Sequence, residues 1–121
     1  MKMVYPYSWS EVSPDHPIEK LTRQKVMGSE MLVAKVRLDA GCHVALHQHV
    51  SEQMAIVIAG KVRWTIGPEG SADQYTIEMK GGAMLHIPSN AWHGVDALED
   101  TDIIDVLSPP GLMGVDSHTQ D

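Results

Sequence analysis

Short strand-length runs rich in apolar residues recur along the sequence, and in most of them apolar and polar residues alternate. Such runs occupy residues 31–38, 54–59, 61–66, 74–79, 84–87 and 102–107. Alternation with a period of two puts the apolar side chains on one face of a strand, and Gly, Pro or Asp separates most of the runs. Residues 54–59 are apolar on both faces, which predicts a central strand covered on both sides. The pattern predicts an all-β fold, either a sandwich or an antiparallel barrel.

The runs define one domain and two flanking segments. The barrel is predicted within residues 31–110. Residues 1–30 are predicted to be an extended N-terminal segment, in which only residues 17–24 have a pattern that suits a helical turn. Residues 111–121 are polar and glycine-containing, and we expect them to form a frayed tail. A chain of 121 residues leaves no room for a second domain of ordinary size.

The N-terminal segment is rich in aromatic residues for this chain. Tyr5, Tyr7 and Trp9 are half of all its aromatic residues, and at a period of two they would share one face of an edge segment. An apolar edge of this kind favours a partner. Two interpretations stay open: the segment pairs across a dimer interface, or it folds over its own barrel.

Composition excludes several classes of function. The net charge of −7 argues against nucleic acids and anionic membranes as partners. The single cysteine, Cys42, excludes an internal disulfide and a zinc site made of four cysteines. Eight Met and no Phe indicate a core of aliphatic and thioether side chains. No signal peptide or membrane span stands out, so we expect a cytoplasmic protein.

Histidine is the residue type that points to chemistry. His43, His47 and His49 fall within seven residues, and two residues spaced i, i+2 on a strand point to the same side. Two converging imidazoles begin a divalent metal site, and Gln53 has the same parity. Glu52 has the opposite parity, but a turn before it would void that argument, so Glu52 remains an alternative ligand.

Two stretches of the chain resemble the pair of motifs that mark the cupin family. The first is Gly41, five residues, His47, one residue, His49, three residues, Gln53, six residues and Gly60. The second is Gly82, five residues, Pro88, one residue, Asn90, two residues and His93. Gln53 stands where Glu is usual, Asn90 where Gly is usual, and Ala97 where Asn is usual.

The resemblance implies a single cupin domain, which is an antiparallel jelly-roll β-barrel that holds one divalent metal ion and usually forms a homodimer. The implied metal ligands are His47, His49, Gln53 and His93. These donors suit Zn, Ni, Mn or Fe equally well. The remaining candidates, His43 and His86, are interpreted as a rim residue and a hydrogen-bonded structural residue.

A narrower resemblance links the chain to the pectin-degradation cupins that linearise 4,5-unsaturated uronates. It rests on residues 31–41, 47–53 and 104–110. It implies a catalytic role for Asp105, an isolated carboxylate on an apolar strand whose burial would raise its pKa. The alternative is a structural Asp105 that accepts backbone hydrogen bonds. Leu107 replaces the family's aromatic residue, and Gly111 replaces a basic one.

The resulting expectation is a metal-dependent enzyme of the isomerase or lyase type that acts on a small-molecule substrate. The substrate would be polar and sugar-derived, and the reaction ring opening or keto–enol tautomerisation. Two rival functions remain: a metal-dependent dioxygenase, which would require O₂, and a small-molecule-binding cupin without catalysis, in which the metal is absent or structural.

Overall fold

Two antiparallel β-sheets form the body of the structure, a computed structural model that describes residues 1–117. In chain order the strands are β1 (Leu21–Met27), β2 (Leu32–Leu38), β3 (His43–His47), β4 (Glu52–Ala59), β5 (Lys61–Ile66), β6 (Tyr75–Lys80), β7 (Met84–Ile87), β8 (His93–Ala97) and β9 (Thr101–Ser108). The first sheet has the order β1-β2-β9-β4-β7, and the second β3-β8-β5-β6. The prediction of an all-β jelly-roll fold is confirmed.

Alternation along the strands builds the core between the sheets. Every second residue of β2 points inward and is buried, while Lys35 and Arg37 between them are exposed. The same holds for β9, where Ile103, Asp105 and Leu107 share the inner face. The core contains Val, Leu, Ile and Ala with one Trp, one Cys and one Met. The aliphatic part of the predicted core is confirmed, but the thioether part is wrong, because six of the eight Met are exposed. The inner face of β9 therefore carries a carboxylate into an apolar interior.

Strand β1 corrects the prediction of a helical turn over residues 17–24. It pairs along its whole length with β2. The apolar residues of β1 do not alternate regularly with polar ones, because one inward position is Arg23, which is only 2% exposed. Arg23 is buried in a double ion pair with Asp15 and Asp116, so a charged residue stands where the pattern leads us to expect an apolar one.

Strand β4 lies in the interior of the first sheet rather than at its edge, but the prediction that it is covered on both faces is wrong. It lies between β9 and β7 in the first sheet. Its inner residues are buried, whereas Met54 and Ile58 on the outer face are exposed. The apolar outer residues that suggested a second covering layer therefore form an apolar patch on the surface of the described chain.

The two ends of the described chain differ in burial: two N-terminal aromatic residues are exposed, whereas two C-terminal apolar residues are buried. Residues 1–8 form no strand, and Tyr5 and Tyr7 are each 65% exposed, although Tyr7 and Trp9 lie beside Val26 and Val33 of the first sheet. At the other end, Met113 and Val115 are buried, and a short helix, α1 (Gly114–Ser117), follows Met113. This differs from the frayed tail expected from residue 111 onward. The rest of that tail, residues 118–121, lies outside the described residues.

Within residues 1–117, the structure contains no helix with the length and apolar character needed to span a membrane.

Gly60, which joins β4 to β5, gives a direct test of this fold. Its φ is +98°, and a side-chain carbon there would overlap the backbone of Asp100 and Thr101. We expect Gly60→Ala to lower the free energy of unfolding by about 3 kcal/mol or more, because strain and overlap add. Gly70 also has a positive φ but open space around it, so Gly70→Ala should cost only about 1 kcal/mol. Urea denaturation measures both, and equal losses would contradict the packing described here.

Candidate metal centre

Three histidines, which we term the histidine cluster, converge at one end of the barrel: His47, His49 and His93. His47 ends β3 and His93 begins β8, and the two are directly paired across the strands. His49 lies in the loop that follows β3, and one ring nitrogen from each of the three lies within 4.8 Å of the others. The expected convergence of His47 and His49 is therefore present, but its cause is different: His49 is outside the strand, so strand alternation does not aim it.

Each of these rings is oriented by a hydrogen bond to a backbone carbonyl two residues away. The Nδ1 atoms of His47, His49 and His93 donate to the carbonyls of Ala45, Ser51 and Ala91 at 2.7, 2.8 and 2.8 Å. A carbonyl only accepts, so each Nδ1 carries the proton. The three Nε2 atoms are left with free lone pairs. Metal-ligating histidines in proteins are usually held in this way.

Burial keeps two of these rings neutral. It lowers the pKa of His93 to about 4, with a smaller contribution from neighbouring His47. Burial also lowers the pKa of His47, against a hydrogen bond to Ala45 that raises it. Both rings are neutral at neutral pH and offer a lone pair rather than a positive charge.

Gln53 completes the cluster with an oxygen atom. Its amide nitrogen donates to the Asp105 carboxylate at 2.8 Å, so its Oε1 faces the Nε2 of His49 at 3.0 Å. With Nδ1 protonated, this Nε2 is a lone pair that faces another lone pair, an arrangement that a cation between them would stabilise. Two donors that bind one ion at about 2.1 Å and at a right angle are about 3.0 Å apart. The donor set therefore fits a divalent metal ion.

Glu52 and His43, the other candidates near the motif, lie outside the cluster. Glu52 is on the outer face of β4, where it pairs with exposed His86 at 2.6 Å. His43 is also exposed and pairs with Asp96 at 2.6 Å. Of the two neighbouring residues that the sequence left open as ligands, it is Gln53 that the fold brings to the histidines.

Asp105 lies below the cluster inside the barrel. It is paired with Ala55 on β4, one diagonal step from Gln53, which explains the hydrogen bond between them. Burial raises the pKa of Asp105 to about 7, although the hydrogen bond from Gln53 acts in the opposite direction. The carboxyl group can therefore gain and lose a proton near neutral pH.

A small inner cavity of about 50 Å³ adjoins the cluster. Its wall includes His47, Gln53, His93 and Asp105, together with Trp64 and the segment Met113–Val115. Sequence reasoning missed this last segment. The signal available was weak: two apolar residues that flank Gly114 in a polar stretch.

The chain is similar in sequence to a known protein family and in fold to proteins of known structure. Residues 34–108 match the model of the cupin domain, and no protein of curated function matches the sequence. An RmlC-like cupin from Shewanella frigidimarina NCIMB 400 is 20% identical, with a TM-score of 0.77 over 91% of this chain and 96% of that one. KdgF from Halomonas sp. is 25% identical, with a TM-score of 0.72 over 84% and 92%.

Oxalate decarboxylase from Bacillus subtilis, in a structure concerned with its Mn(II) centers, is 20% identical with a TM-score of 0.78. That similarity covers 93% of this chain but only 32% of the decarboxylase. The matched family model spans more than half of the sequence, and the fold agrees with it. The chain belongs to the cupin domain family.

Proposed function

We propose that this chain is a metal-dependent enzyme of the isomerase or lyase type that acts on a small sugar-derived substrate similar to a 4,5-unsaturated uronate. The reaction is ring opening or keto–enol tautomerisation. The observation that carries the proposal is the position of the Asp105 carboxyl beside the histidine cluster, where burial raises its pKa to about 7. A carboxyl of this kind suits proton transfer at neutral pH.

The histidine cluster supplies the cofactor site in this proposal. The Nε2 atoms of His47, His49 and His93 and the Oε1 atom of Gln53 would hold one divalent ion. When bound, such an ion polarises a substrate oxygen as a Lewis acid. Because all four donors are neutral, they leave the charge of the ion uncompensated.

Asp105 moves the proton. In keto–enol tautomerisation the enol hydroxyl loses a proton and a carbon of the double bond gains one, so substrate and product are isomers. In ring opening the anomeric hydroxyl loses its proton, the ring C–O bond breaks and the ring oxygen gains a proton. In either case one carboxyl group can accept the first proton and donate the second, and it ends the reaction in its starting protonation state. The amide of Gln53 holds the Asp105 carboxyl in place.

Two observations support the substrate class. The sequence resembles the uronate-linearising cupins in three separate stretches, and the fold is similar to that of KdgF from Halomonas sp.. Leu107 and Gly111 depart from that family. Leu107 is fully buried and Gly111 is exposed. Because these residues are leucine and glycine, neither position offers an aromatic or basic group to a substrate.

Oxygen chemistry is the second candidate. Three neutral histidines also suit a redox-active metal such as Fe(II), and a dioxygenase would then need O₂ as a co-reactant. Activity under aerobic but not anaerobic conditions would favour this function over the isomerase.

We also propose that the chain forms a homodimer. Tyr5 and Tyr7 of the N-terminal segment are exposed, and so are Met54, Ile58 and Met84 on the outer face of the first sheet. Apolar residues so exposed on one chain favour burial against another.

The role of Asp105 predicts a large loss of activity on Asp105→Asn. We expect turnover of an unsaturated uronate, followed by ultraviolet absorbance of its conjugated double bond, to fall by about 10²- to 10⁴-fold. Metal content should not change, because Asp105 is not among the proposed ligands and the side-chain oxygen of an asparagine can still accept the hydrogen bond that orients Gln53. Asp96→Asn, which alters an exposed carboxylate, is the matched control and should retain activity. Unchanged turnover in Asp105→Asn would exclude the proton-transfer role.

The metal site predicts one ion per chain in the purified protein, measured by elemental analysis. His93→Ala removes a buried donor and should abolish retention of the ion, whereas His86→Ala removes an exposed imidazole and should not. Added metal should raise the melting temperature of the wild type, because an ion that binds only the folded state stabilises it. Folded protein with far less than one ion per chain would support a binding module without catalysis.

The homodimer predicts twice the chain mass by light scattering. Ile58→Glu places a charge in the exposed apolar face and should shift the protein toward monomer. Thr76→Glu places the same charge at an exposed position of the other sheet and should not. A wild-type monomer at all concentrations tested would refute this proposal.

A further inference from the structure

The C-terminal segment Leu112–Ser117, which we term the strap, lies between two cavities. On its inner side is the cavity of about 50 Å³ that adjoins the histidine cluster. On its outer side is a groove of about 460 Å³ lined by Lys20, Cys42 and His43 among others. Both spaces are lined by Val44, His47, Gly114 and Val115, so β3 and the strap together form the wall that divides them.

The strap lies directly against one of the proposed metal ligands. A side-chain carbon at position 114 would overlap the imidazole ring of His47, with Nε2 among the atoms it meets. Only a glycine lets the backbone come this close. Met113 and Val115 on either side are buried in the core, so the strap covers the entrance to the cluster rather than passing over it loosely.

A buried ion pair holds the strap in this position. Asp116 accepts two hydrogen bonds from Arg23, at 2.8 and 2.9 Å, and its carboxylate also accepts from the backbone N–H of Met113 at 3.0 Å. Arg23 is buried on β1, where it also makes two hydrogen bonds to Asp15. The strap is thereby attached to the first sheet through a charged group that is costly to leave unpaired.

The inner cavity is too small for the substrate class proposed above. Sites for small molecules in proteins usually measure about 300–1,000 Å³. The outer groove has such a volume, but the strap and β3 separate it from Asp105, His49 and His93. The groove and the cavity would together form a site of suitable size if the strap moved aside.

We propose that the strap is a gate, fastened by the Asp116–Arg23 ion pair, whose opening joins the outer groove and the inner cavity into one binding site for a small polar molecule the size of a sugar acid. This inference rests on the proposed function only in taking the histidine cluster as the reactive centre. It concerns how that centre is reached.

Trp64 provides an independent reason to expect a polar occupant. It lines the inner cavity, and its buried indole N–H has no hydrogen-bond partner among residues 1–117. A buried donor without a partner is unfavourable. A polar molecule or water admitted when the strap opens would supply the missing acceptor.

Hydrogen exchange tests the gate directly. The backbone N–H of Asp116 bonds to the carbonyl of Met113 within the strap, so its exchange rate reports opening. In Asp116→Asn we expect this exchange, followed by mass spectrometry of a peptide that covers the strap, to be at least about tenfold faster than in the wild type. Asp15→Asn weakens the other ion pair of Arg23 and is the matched control. Its strap should exchange within about twofold of the wild-type rate.

Release of bound metal gives a second readout. Transfer of the ion to an excess of a chromophoric chelator should be faster in Asp116→Asn by a similar factor, and unchanged in Asp15→Asn. Gly114→Ala, which cannot close over His47, should behave like Asp116→Asn in both measurements.

The outcomes separate the gate from the proposed function. If the wild type binds no metal, the function fails, but exchange still tests the gate. If strap exchange in Asp116→Asn equals that of the wild type, the ion pair does not fasten the strap and the gate is refuted. If exchange accelerates while metal release does not, the strap moves without controlling access, and the proposal is likewise refuted.

Discussion

The hydrogen bond between Gln53 and Asp105 is the interaction on which the candidate site depends. A glutamine amide has a donor end and an acceptor end that differ little in shape, so its orientation is set by its partners. The Asp105 carboxyl takes the donor end at 2.8 Å, and the oxygen must then face His49. The same bond keeps the buried carboxyl paired, which a carboxyl in an apolar interior requires. Removing either partner would disturb the other.

A second buried polar group, Arg23, connects parts of the chain that are far apart in sequence. It joins Asp15, eight residues before it, to Asp116, which is 93 residues after it. Burial alone would raise the pKa of Asp116, but the hydrogen bonds and the charge of Arg23 lower it below its usual value. Both Asp15 and Asp116 therefore remain charged down to acidic pH. The N-terminal region, β1 and the strap are held as one unit by this charge network.

Local patterns predicted most of the strands, and the resemblance to the cupin motifs indicated the four residues of the candidate site. Alternation in β2 and β5, and motif spacing around His47 and Gln53, require only nearby residues, so the sequence reveals them. Three features could not be predicted in this way. The position of His49 depends on a loop held by a backbone hydrogen bond from Asn90, whose φ of +63° suits the place that a glycine takes in the motif. Strand β1 and the strap depend on Arg23, whose partners are too distant in sequence for any periodicity to indicate.

The strap changes how the departures from the uronate-linearising cupins are understood. Where those proteins carry an aromatic residue, Leu107 is buried on β9 and does not line the inner cavity. The apolar wall near the cluster comes in part from Met113 and Val115, which the strap brings in from the other end of the chain. Met is flexible and adapts to differently shaped neighbours. Because part of this wall belongs to the segment that the Asp116–Arg23 ion pair attaches to the first sheet, the shape of the site depends on the strap as well as on the barrel. Part of the wall beside the cluster therefore lies outside residues 34–108, the span that matches the cupin domain.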